Sequence, residues 1–252
     1  YESLIQENDD VSMVEAYFQK TLTPKWKWGA SANYVRDRAN GSGGVSILGQ
    51  GLNATQLNAY NGTFRFNFGD KAYRADIGWL GSFFSYNEDY MMGRFYANGF
   101  ANFNYGLAEI EVGDKWEKGA DIAGLGANLR MGYRYGQTTD DVVELDFIYS
   151  TGDEDALNDK TYNGVITANT WASPGNVFIG SGAHLLFPHG NVVNRYTPLV
   201  ADWSNMGYGL MGGVLNASRD IIPHRFKAKV GTAFAMSSVE PTGGGKTLGT
   251  EF

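Results

Sequence analysis

Alternation is the feature of this chain that most limits what it can fold into. From residue 60 to 68, Tyr60, Gly62, Phe64, Phe66 and Phe68 fall on one side of an extended chain, with Asn61, Thr63, Arg65 and Asn67 on the other. After Gly69-Asp70-Lys71 the pattern resumes, setting Tyr73, Ala75, Ile77, Trp79 and Phe83 against Arg74, Asp76, Gly78 and Ser82. A period of two puts such sets on opposite faces of a β-strand. The runs are longer than the five or six residues or so usual in soluble sheets. Long strands with aromatics on one face and arginine on the other suit a transmembrane β-barrel, whose strands alternate between lipid and lumen.

Composition narrows the classes. No continuous apolar stretch approaches the roughly 18 residues a membrane helix needs, which excludes a helical membrane protein. The mean hydropathy of -0.30 fits a soluble protein and a barrel equally, because every second barrel residue faces water. The absence of cysteine removes disulfides, thiolate metal sites and a cysteine nucleophile. A net charge of -7 argues against nucleic acid as a partner, since phosphate neutralisation needs a basic face. The chain opens at Tyr1 without a basic n-region or an apolar h-region, so any secretory signal is expected to have been removed or to lie outside this segment.

Read along its length, the chain resolves into hairpins. Residues 11–20 and 26–36 form strands joined at Thr21-Leu22-Thr23-Pro24, and a Gly/Asn/Ser-rich loop fills 37–56. Strands 57–68 and 72–83 pair through 69–71, 93–104 and 107–116 pair through 105–106, and 122–135 turns through 136–141 into 142–149. From 151 to 205 the pattern dissolves into one long excursion, followed by strands at 206–215 and 225–236, a Gly-rich stretch at 237–248 and the start of a further strand. Short connections (21–25, 69–71, 105–106, 136–141, 216–224) alternate with longer ones (37–56, 84–92, 117–121, 151–205, 237–248). Outer-membrane barrels have that asymmetry, with short periplasmic turns and long outer loops.

The expected fold class is therefore all-β, a transmembrane antiparallel up-and-down β-barrel formed by one domain over residues 1–252, with 151–205 as an extracellular loop. Residues 1–10 fall on the long-loop side in this reading, whereas barrel termini normally face the periplasm. The expectation is a segment of about ten strands, incomplete at both ends, from a barrel of about 16–18.

One stretch carries a likeness. Asp146-Phe147-Ile148-Tyr149-Ser150-Thr151-Gly152-Asp153, and later Lys246-Thr247-Leu248-Gly249-Thr250-Glu251, resemble the alginate export family of outer-membrane porins, over about the C-terminal half. The likeness implies a barrel of about eighteen strands with a polar, charged pore. Alginate itself is not implied as solute, because acidic residues interrupt the arginine run that a polyuronate exporter uses.

With the aromatic face in lipid, the opposite face presents Lys27, Arg65, Arg74, Arg94, Arg130, Arg134, Arg225, Lys227 and Lys229, with Asp76, Glu109, Glu111, Glu144 and Asp146, to the lumen. A mid-membrane charge facing lipid costs about 2–4 kcal/mol for Arg or Lys, so all fourteen are expected to line the pore. Opposite charges on neighbouring strands can also simply pair and hold register. The excess of basic over acidic residues predicts weak anion preference. Trp26, Trp28, Tyr34, Tyr60, Tyr73, Trp79, Phe83, Tyr105, Trp116, Tyr133, Tyr135 and Tyr149 are expected as interfacial girdles.

No other chemistry emerges. Asp153-Glu154-Asp155 with Asn158 and Asp159 offers oxygens suited to calcium but lacks the EF-hand order, and reads as a solvated loop. His184, His189 and His224 lie far apart without H-E-x-x-H spacing, so no metal and no cofactor are expected. The chain has no G-x-S-x-G, P-loop or G-x-G-x-x-G context, and Gly180-Ser181-Gly182 is a lone triplet in a loop.

The functional expectation is a porin of a Gram-negative-type outer membrane, passing small polar or anionic solutes, saccharides among them, by diffusion. Its partners would be the bilayer, lipopolysaccharide and those solutes, with a homo-oligomer and a surface protein partner left open. The alternatives are a scaffold barrel whose outer loops bind a partner or plug the pore, a soluble carbohydrate-binding protein, and a barrel hydrolase with Ser and His on the outer wall.

Overall fold

The computed structural model describes residues 11–38, 68, 71–89, 93–155, 159–166, 205–223, 225–241 and 243–252. They form one antiparallel up-and-down sheet: β1 (Val11–Thr23), β2 (Trp26–Asp37), β3 (Tyr73–Tyr86), β4 (Phe95–Val112), β5 (Lys115–Arg134), β6 (Val142–Ser150), β8 (Leu210–Ile222), β9 (Phe226–Ser237) and β10 (Thr247–Glu251). The two-residue β7 (Thr161–Tyr162) pairs in parallel with β5 where β6 has ended. One 3-10 turn, Asn205–Gly207, precedes β8. No helix among the described residues is long and apolar enough to cross a membrane.

Each strand pairs with its sequence neighbour, so connections alternate between two ends. One end has 24–25, 87–94, 135–141 and 223–225; the other has 38–72, 113–114, 151–209 and 238–246. The expected asymmetry holds in part: the connection expected as long at 84–92 falls, as 87–94, at the end of the short ones, and a two-residue turn falls at the end of the long ones. The sequence places a break at 105–106, but β4 runs through it for 18 residues and the turn falls at Gly113-Asp114, where Gly113 takes φ 64. The expected loop at 117–121 likewise lies inside β5. Both edges of β3 are occupied over 75–86, by β2 and β4, so 57–68 cannot be its hairpin partner there. Residues 57–67 themselves lie outside the described residues.

Register defines two faces. One carries Trp28, Phe84, Leu129, Phe147 and Phe234 in a single cross-strand row, with Met131, Leu145 and Leu215 in the next. The other carries Asn98, Arg130, Asp146 and Val214, with Asn102, Asn104, Asn128 and Asn216 nearby. The apolar face is the open one: Leu80 is 52% exposed and Leu215 48%, whereas Asn104 is 0% and Asp146 1% exposed. A water-soluble sheet buries its apolar face and wets its polar one. This sheet does the reverse.

The polar face also holds the apolar core. Tyr73, Ala75, Ile77, Ala108, Ala120 and Ile122 pack there under Tyr162 and Ile166, with Trp79 against them. Trp79 Nε1 donates to the Ile166 carbonyl at 3.0 Å, and the Ile166 amide donates to Asn104 Oδ1 at 3.1 Å. Residues 161–166 thus fold back across β3–β5.

Candidate functional site

The polar face is built around the β5–β6 hairpin. Arg130 and Asp146 stand directly opposite each other. Arg130 donates to Asp146 Oδ2 from Nη2 at 2.6 Å and from Nε at 3.1 Å, and Asn128 Nδ2 donates to Oδ1 at 2.7 Å. Glu144, one row away, lies 3.9 Å from Arg130 and accepts from the Tyr96 hydroxyl at 2.5 Å. Tyr96 reaches it by lying flat over Gly132, where a Cβ would come within 2.0 Å of the ring. With the Asp146 side chain 2% exposed, the carboxylate is held by three donated bonds; unpaired, a buried charge costs several kcal/mol.

Toward the short-connection end the same face carries Lys27, paired to Asp89 at 3.0 Å, and Lys227, paired to Asp140 at 2.6 Å. Lys229 stands opposite Ser218, and Arg134 opposite Val142. Arg94 precedes β4 and donates Nη1 to the Tyr135 carbonyl at 2.8 Å, while Arg225 lies in the turn before β9. Asp141 closes the β5–β6 turn, accepting from the Asp220 amide at 2.9 Å, the Gln137 amide at 3.1 Å and the Thr138 amide at 3.3 Å. Those amides, Asp220 foremost, hold its carboxyl below the usual carboxylate range.

The fourteen expected pore residues do not share a face. Lys27, Arg130, Arg134, Glu144, Asp146, Lys227 and Lys229 lie on the polar face. Arg74, Asp76, Glu109 and Glu111 lie on the apolar one, opposite or beside Leu107 and Trp116. Their partner Arg74 donates Nε to Glu109 at 2.6 Å and sits 4.5 Å from the Trp116 ring. The physical reason is position along the strand. From Phe95 to Tyr105 on β4, and from Tyr133 to Ala123 on β5, the apolar face is uncharged; on these two strands the charges begin only beyond that stretch, while on β1 Lys20 stands opposite Trp28 on the same face. The same register corrects the girdle: Tyr73, Trp79 and Phe83 face the polar side, whereas Trp26, Trp28, Tyr34, Tyr105, Trp116, Tyr133 and Tyr149 face the apolar side.

Arg65, Tyr60, Gly180-Ser181-Gly182 and the three histidines lie outside the described residues. The Asp153 carboxylate accepts from the amides of Asp155 at 3.2 Å and Asn163 at 2.9 Å, a local use of its oxygens. Among the described residues no group of three or more His, Asp or Glu side chains is disposed to hold a metal. Alternation in the sequence puts Asn128 on one face with Arg130 and Arg134, and the structure agrees; it missed Tyr96, Asn104, Asn216, Asp37 and Asp220, all on the polar face.

Comparison with models of known protein families gives no match, and comparison with curated proteins gives none either.

Proposed function

We propose that this sheet is wall of a transmembrane β-barrel in a Gram-negative-type outer membrane, a porin passing small polar or anionic solutes by diffusion. The observation that carries it is the inverted polarity: amides, Arg130 and Asp146 on the buried face, and Leu, Phe, Trp and Tyr on the open one. The dimensions agree. The uncharged stretch from Tyr133 to Ala123 is about 33 Å of strand, and a tilt of about 40° makes it about 25 Å along the membrane normal, the height of an outer-membrane apolar band. Solutes would meet the Arg130 network, lysines and amides.

Across the polar face, Lys27, Lys115, Arg130, Arg134, Lys227 and Lys229 stand against Glu15, Asp37, Glu117, Glu144, Asp146, Asp220 and Glu251. The two signs nearly balance, which supports a pore of weak selectivity that passes small polar solutes. The alginate export likeness fits a barrel and supplies no solute. Conductance and reversal potential in a planar bilayer test the proposal: steady current with weak selectivity supports it, and clear cation selectivity or no current overturns it.

A second reading, a plugged scaffold barrel, draws on residues 161–166, whose docking on the polar face would put chain inside the lumen. Silent insertion, with label accessibility intact but no current, is its signature.

A further inference from the structure

The charges on the wrong face have a role of their own. We infer that Arg36, Arg38, Arg74 and Lys118 form an outward collar, just beyond the apolar band at the long-connection end, that binds the phosphate headgroups of surrounding lipid. The inference rests on the barrel reading and deepens it, giving its lipid partner a chemistry and a place. Arg36 lies opposite Asp76, Arg74 opposite Glu109, and Glu109 opposite Lys118, so the collar crosses four strands in two adjoining rows. Inward of Arg36 along the strands comes the row of Tyr34, Gly78 and Tyr105, on the same face, while Leu107 stands in the row of Arg36 itself. Cations at that level meet headgroups, where anionic lipid attracts them.

Arg38 spends its terminal nitrogens on the Asp37 and Ala75 carbonyls and on Asp76, whereas Arg36 and the terminal nitrogens of Arg74 remain available among the described residues. Asp76 takes Arg38 Nη2 at 2.8 Å and the Tyr34 hydroxyl, Glu109 takes Arg74 Nε, and Asp121 takes Lys118 Nζ. Four cations meet these three carboxylates and Glu111 one row farther out, so the collar recognises phosphate through its free guanidinium and ammonium donors and not through net charge. Arg36 is exposed and makes no ion pair among the described residues. The terminal nitrogens of Arg74 donate to nothing among the described residues, while its guanidinium lies against Trp116. A guanidinium edge with paired N–H donors matches a phosphate. Glu111 stands farther out, opposite Trp116, away from the band.

The test uses the whole chain in phosphatidylcholine vesicles at low salt, with spin-labelled phosphatidic acid and spin-labelled phosphatidylcholine as competing boundary lipids. The wild type should prefer the phosphatidic acid by about fivefold, the effect of a single cation at a membrane surface. Arg36→Gln with Lys118→Gln should lose most of that preference, Arg36→Lys should keep it, and Lys229→Gln on the opposite face should not change it. Arg36→Gln alone gives the same reading, at half effect, if the double variant does not insert. An unchanged preference in these variants overturns the collar while leaving the barrel intact. Failure of the wild type to insert overturns the barrel reading, and the collar with it.

Discussion

Asp146 is the residue on which the polar face turns. Its two oxygens take Arg130 and Asn128, and its neighbour Glu144 is steadied by Tyr96. Asp146→Ala strands a guanidinium that is 25% exposed, and should cost about 3 kcal/mol in unfolding free energy, near the low end for a broken buried pair. Gly132→Ala puts a methyl into the Tyr96 ring, and should cost about 1–3 kcal/mol as Tyr96 leaves Glu144. Both are read by urea unfolding of the folded protein. Asp141 gives a pH signature. Its carboxyl is held low by amides from β8 and its own turn, so its contribution is complete above the unfolded value of about 3.9 and fades as pH falls through the lower folded value. Asp141→Asn should therefore be less stable than wild type at pH 7, and the two curves should converge in acid.

At the scale of elements, the hairpins that alternate cleanly were legible before any coordinates. The turn at Pro24-Lys25 and the β5–β6 hairpin fall where the pattern puts them, because each strand there keeps one phase from end to end. The β4–β5 hairpin was not legible, and the reason lies in residues 161–166. On β4 the apolar residues sit on one face through Leu107, then Ala108 and Ile110 appear on the other, where Tyr162 and Ile166 cover them. A phase change of that kind reads as a turn unless the covering segment is known. Tyr73, Ile77 and Trp79 were assigned to the lipid side for the same reason. Tyr162 is 0% exposed at the centre of that pad. Tyr162→Ala should free the segment, raising its proteolytic sensitivity around 159–166 and, in an open pore, raising single-channel conductance.

For the whole molecule, strand direction is the constraint. β1 and β10, the two edges of the nine-strand antiparallel path, run the same way, so closing the sheet antiparallel takes an odd number of further strands between them. The site was half legible. Arginine and carboxylate alternation found Arg130, Glu144 and Asp146, but only register separates them from Arg74, Asp76, Glu109 and Glu111. The chain has no cysteine, so single cysteines can carry nitroxide labels without background. The decisive measurement is collision accessibility in bilayers at Leu145 and Leu215 on one face and at Asn128 and Asn216 on the other. The account predicts that oxygen dissolved in the acyl chains relaxes labels at the leucines, and that a water-soluble nickel chelate relaxes those at the asparagines. The opposite assignment, or equal access of the chelate to all four, contradicts it.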